Sequence, residues 1–62
     1  MPNEDIEDGL SLMRSASFDA ADAARIVVDT NHGRDEDDPV TPEIKAAYAD
    51  LETRLMAATA AH

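Results

Sequence analysis

The chain has 62 residues, 14 Asp and Glu against 5 Lys and Arg, a formal net charge of −9 and no cysteine. That length admits one small domain at most, and the missing thiols exclude both disulfides and the cysteine-based zinc sites that commonly brace so short a chain. Of its residues 44% are hydrophobic, but twelve of these are alanine and Leu, Ile, Val and Phe number only 11 of 62, which with this charge lies on the disordered side of the usual boundary.

The first predicted helix covers about residues 4–14. Ile6, Leu10 and Met13 stand at i, i+4 and i+7 on one face, and Glu4, Asp5, Glu7 and Asp8 load the early turns with the charge that suits the positive end of the helix dipole. Gly9 falls inside this segment and costs about 1 kcal/mol relative to alanine. The expectation is therefore a short helix, formed on contact with a partner.

A second helix is predicted over 18–31, capped by Ser17 and with Asp19 in its first turn. Phe18, Ala21, Ala24 or Arg25, and Val28 follow helical spacing. Ile26-Val27-Val28 also fits a short β-branched strand, but no second strand candidate exists for it to pair with, so helix is preferred. Asn31-His32-Gly33 supplies a left-handed terminator. Arg34-Asp35-Glu36-Asp37-Asp38-Pro39-Val40 then reads as a loop or hinge with no means of burying itself.

The last segment carries the clearest signal, with Thr41 as N-cap, Pro42 at the first helical position and Glu43 in the first turn. Ile44, Ala47, Tyr48, Leu51, Leu55 and Ala58 recur as a stripe along about 18 residues, or ~27 Å of helix. Asp50 and Arg54 form a favourable i,i+4 pair. The acidity lies elsewhere: residues 1–34 sum to −4, residues 35–43 to −5, and residues 44–62 are neutral. There is no internal repeat and no motif specific to a family.

The predicted fold is all-α, with two or three short helices at about 4–14, 18–31 and 42–59 joined by an acidic hinge, in an open hairpin or extended arrangement that orders on a partner. It reads as a single interaction module over 1–62, comprising an acidic part at 1–34, the hinge at 35–41 and a neutral amphipathic helix at 42–60.

Chemistry finds little support in the residues. An EF-hand register started at Asp29 places Gly33, Arg34 and Val40 where a ligand, glycine and glutamate belong. His32 and His62 lack the companions of a zinc or iron site. Ser11, Ser15 and Ser17 have no positioned base, there is no Gly-rich phosphate loop, and so short a chain scarcely encloses a substrate pocket. No catalytic residue, metal or cofactor is expected. Clustered Lys and Arg for phosphate are missing, as are a secretory leader and any apolar run of membrane-spanning length, so neither direct nucleic-acid binding nor a membrane is expected. The expected location is cytoplasmic or virion-associated rather than secreted, and one lysine against four arginines with abundant alanine hints at a GC-rich bacterial or phage source.

The Ile44, Ala47, Tyr48, Leu51 and Leu55 stripe has two readings, the inner face of a helical hairpin and a surface that docks in a foreign groove with Tyr48 as anchor, and the two are compatible, with one edge on Phe18 and Val28 and the other on the partner. Phe18 and Val28 join it as candidate contact residues, Ile6 and Leu10 act as secondary anchors, and Asp35, Glu36, Asp37 and Asp38 are placed against a basic surface. The functional expectation is a non-enzymatic accessory or structural protein docked on a larger protein assembly, an enzyme complex or phage particle. Self-association is compatible with the same stripe. The alternative is an acidic inhibitor, antitoxin-like or imitating nucleic acid, that blocks a basic site.

Overall fold

The computed structural model describes residues 3–60, which form α1 (Asn3–Ser15), α2 (Ala20–Asn31) and α3 (Pro42–Ala60), with no strand among the described residues. Each boundary has a local cause. In α1, Glu4 and Asp5 occupy the first turn and Arg14 the last, matching the dipole at both ends. In α3, Thr41 Oγ1 accepts the Ile44 amide at 3.3 Å and Pro42 opens the helix with its fixed φ, as the sequence predicts. At the end of α2, Gly33 sits at φ 63° while its amide reaches Thr30 O at 3.3 Å and the Arg34 amide reaches Asp29 O at 2.9 Å, the paired bonds of a Schellman cap.

The start of α2 differs from the sequence reading. Asp19, not Ser17, is the N-cap, its Oδ1 accepting the Asp22 amide at 2.9 Å. Ser17 instead takes the left-handed conformation, φ 60°, that turns the chain out of α1. The helix therefore begins at Ala20, and Phe18 lies in the link, half-buried against the core. The buried face of α2 is Ala20, Ala23, Ala24, Val27 and Val28 rather than the Phe18, Ala21, Ala24 or Arg25, Val28 series; Ala24 and Val28 belong to both.

The three helices close on one another, where the sequence suggests an open or extended arrangement. α2 packs most extensively on α3, then on α1, and α1 also reaches α3. The Cα radius of gyration is 11.0 Å, close to the ~10.6 Å that size scaling gives for a folded chain of this length. The core consists of the five α2 residues with Ile44, Leu51 and Leu55 of α3, and Ile6, Leu10, Leu12, Met13, Phe18, Ala47 and Tyr48 pack around it. Leu51 and Leu55 are its only large side chains fully withdrawn from solvent. No helix among the described residues is long and apolar enough to cross a membrane.

Gly9 is what brings α1 against α3. A β-carbon there would lie 2.7 and 2.8 Å from the two terminal methyls of Leu55. The missing side chain thus lets a helix backbone rest on the Leu55 tip, and helix propensity is given up for that approach. Gly9→Ala recovers about 1 kcal/mol of propensity, but overpacking a filled core costs about 1–3 kcal/mol, so a net loss of stability is expected in urea unfolding. The same substitution in a Leu55→Ala background should be neutral or stabilising. Equal effects in both backgrounds would show that the two residues do not meet.

Candidate binding groove

The sequence-predicted contact residues separate into three groups. Val28, Ile44, Leu51 and Leu55 are buried in the chain's own core. Ala47, Tyr48 and Phe18 pack partly buried against it, and Asp35, Glu36, Asp37 and Asp38 are exposed on the α2–α3 connection. Ile44, Leu51 and Leu55 of the α3 stripe thus line the inside of a small bundle, with Ala47 and Tyr48 at its edge. Ile6 and Leu10, the secondary anchors, pack against the same core.

Three of these residues, Phe18, Glu36 and Tyr48, meet at an open groove of about 380 Å³ between α2, the connection and α3. Its apolar mouth is formed by Phe18 with Ile26 and Val40, and the last two are 38% and 55% exposed. Asp22, Arg25, Asp29 and Arg34 complete the lining. Sequence reasoning missed Ile26 and Val40 as surface residues. Ile26 is the member of Ile26-Val27-Val28 that falls off the buried face once α2 starts at Ala20, and Val40 follows a proline in a segment otherwise too polar to suggest a contact.

The groove floor is a closed polar constellation. Arg34 Nη1 donates to Asp29 Oδ1 and to Tyr48 Oη, each at 2.5 Å, and Tyr48 Oη–H donates in turn to the same Asp29 oxygen. Arg34 Nη2 donates to the carbonyls of Asp38 at 2.7 Å and Pro39 at 2.9 Å. One guanidinium therefore ties α2, α3 and the acidic connection together, using the planar fork that a lysine does not have. The connection is further folded by the Asp35 amide to Asp38 Oδ2 at 2.8 Å and the Asp38 amide to Asp35 O at 3.0 Å. The segment read as a hinge has a definite local conformation.

Burial works to raise the Asp29 carboxyl, but the hydrogen bonds from Tyr48 and Arg34, with the charges of Arg34 and Arg25, outweigh it and hold Asp29 below its ordinary value. The bond to Asp29, aided by burial and the carboxylate charge, pushes the Tyr48 phenol up despite the opposing Arg34. For Arg34, partial burial favours deprotonation, yet Asp29, Tyr48 and Asp38 together raise it further still. The constellation is a neutralised structural knot in which each acceptor already has its donor.

Among the described residues no group of three or more His, Cys, Asp or Glu is placed to hold a metal ion. His32 Nδ1 lies 2.9 Å from Val28 O at the end of α2. His62 lies outside the described residues. Comparison with family models, with curated proteins and with solved structures found no match.

Because Tyr48 is the only tyrosine, its phenolate absorbance reports this knot alone. A raised folded-state value means that its stabilisation is present below the ordinary tyrosine range near ~10 and is lost as pH rises through the folded value. The native chain should therefore ionise Tyr48 at higher pH than the urea-unfolded chain, and Arg34→Lys should alter that difference. Asp29 has the opposite sign: its contribution is present above the ordinary carboxylate value near ~3.9 and is lost as pH falls through its lower folded value. Asp29→Asn should lack that acid-limb component. Coincident native and unfolded titrations of Tyr48 would show that the knot does not form.

Proposed function

We propose that this chain is a non-enzymatic accessory or structural protein that binds a larger protein assembly, such as an enzyme complex or a phage particle, through the groove face of a three-helix module. The observation that carries this reading is the placement of Phe18, Ile26 and Val40 at one groove mouth while most other large apolar side chains face the core. Apolar side chains gathered at one edge of a small module have more to gain from a partner than from water. Titratable groups on the groove floor are occupied with one another, and this supports a surface that binds rather than reacts.

The small core supports the same reading from energetics. With few large side chains inside, the free module sits near the stability limit of short chains. A partner that binds only the folded form raises its thermal midpoint by mass action. In this scheme the stripe of Ile44, Leu51 and Leu55 holds the module together, and docking falls to Phe18, Ile26, Val40 and the adjacent Glu36. The alternative, an acidic blocker that imitates nucleic acid, requires carboxylates spread along a long face. Here five acids are concentrated within 35–43 and α3 is nearly neutral.

Photo-crosslinking in the native host tests this directly, with a benzoylphenylalanine introduced at Ile26 or Val40 and, as control, at Asp50 on an exposed part of α3. A discrete protein adduct is expected from the first two positions and not from the third. Adduct yield should persist from ~50 to ~200 mM salt, a range over which a phosphate-like competitor loses orders of magnitude in affinity. Equal adducts from all three positions, or none, would refute the reading. Steep loss with salt would favour the acidic blocker.

A further inference from the structure

We infer that the groove between α2 and the acidic connection accepts a short basic helix of a partner protein, with an apolar side chain seated among Phe18, Ile26 and Val40 and Lys or Arg residues beside it meeting Asp22 and Glu36. This names the partner chemistry of the proposed docking face and rests on that reading. Three observations lead to it.

The first is the charge available to a visitor. Of the five charged groups lining the groove, Asp29 and Arg34 neutralise each other and face inward. Asp22, Glu36 and Arg25 remain on the exposed lining. Asp35 and Asp37 flank Glu36 in the chain and are exposed, and the 35–43 stretch carries five acids and no base. A cationic partner is attracted to this stretch and an anionic one is repelled.

The second is shape. On α2 the lining runs from Asp22 to Asp29, seven residues or about 10.5 Å of axis. That length matches two turns of a helix presenting anchors at i, i+3 or i+4, and i+7. Ile26 lies within this run, with Phe18 from the α1–α2 link and Val40 from the connection lining the same groove, and Asp22 and Glu36 supply carboxylates to it from α2 and from the connection. A partner strand has no equivalent template, because the described residues include no sheet edge on which it could add.

The third is rigidity. Val40 and Glu36 belong to the connection, which as an unrestrained loop would lose entropy on docking. Arg34 holds it from within through the carbonyls of Asp38 and Pro39. The groove wall is therefore formed before a partner arrives.

The test uses the full chain and two synthetic peptides of about 14 residues, long enough for appreciable helicity. One is an amphipathic Leu/Lys helix; the other has every Leu replaced by Ala at equal charge. In amide NMR titrations the Leu/Lys peptide should shift residues around Phe18, Asp22, Ile26, Glu36 and Val40, and bind about ten-fold more tightly than the Ala/Lys peptide. Ile26→Ser and Glu36→Gln, both at exposed positions, should each weaken it about three- to ten-fold, with circular dichroism showing that the variants keep their helices. Equal affinity for both peptides would reduce the interaction to bulk charge and overturn the inference, as would shifts centred elsewhere or no binding. If a native partner is crosslinked yet still binds Ile26→Ser and Glu36→Gln undiminished, the basic-helix assignment fails while the accessory-protein reading stands; if no partner is found, the latter fails independently.

Discussion

How near three helices can approach when they have few large side chains to place between them governs this molecule. Ala20, Ala23 and Ala24 present almost no bulk on the inner face of α2, and Gly9 presents none on α1. Leu51 and Leu55 then fill the space that remains. A core made this way gains from contact between backbones as well as from side-chain burial, since dispersion falls steeply with each fraction of an ångström of separation. The same economy of bulk leaves Ile26, Val40 and Met56 exposed, with Phe18 only half-buried at the edge of the core.

Arg34 connects the fold to the candidate site. It follows the Schellman cap directly, so the termination of α2 fixes where its side chain begins. From there one guanidinium reaches Asp29 on its own helix, Tyr48 on α3 and two carbonyls of the connection. The acidic segment would otherwise be repelled by its own charge. Held at its two carbonyls, it becomes a wall of the groove, and its carboxylates project from a fixed frame.

Local signals were legible and long-range ones were not. The Thr41-Pro42 start of α3 and the Gly33 end of α2 are written in adjacent residues with a single physical meaning, and both stand in the structure. Ser17 and Asp19 are both good caps two residues apart, so sequence alone had to choose between them, and the choice shifted the predicted inner face of α2. Alanines at 20, 21, 23 and 24 cover so much of the helix circumference that periodicity could not correct it. Gly9 has a visible cost and an invisible benefit, because the Leu55 methyls that explain it lie 46 positions away. The Arg34–Tyr48 bond also spans the whole connection, and the lone base beside a run of acids was its only trace in the chain.

A core of alanine and valine with two buried leucines also determines how the module responds to temperature. Heat-capacity change on unfolding grows with the apolar surface exposed, and averages about 0.8 kcal/mol/K for a chain of this length. With so little of that surface inside, the increment here falls below the average, and the free-energy curve is correspondingly shallow. A shallow curve means a stability that changes little between cold and warm conditions.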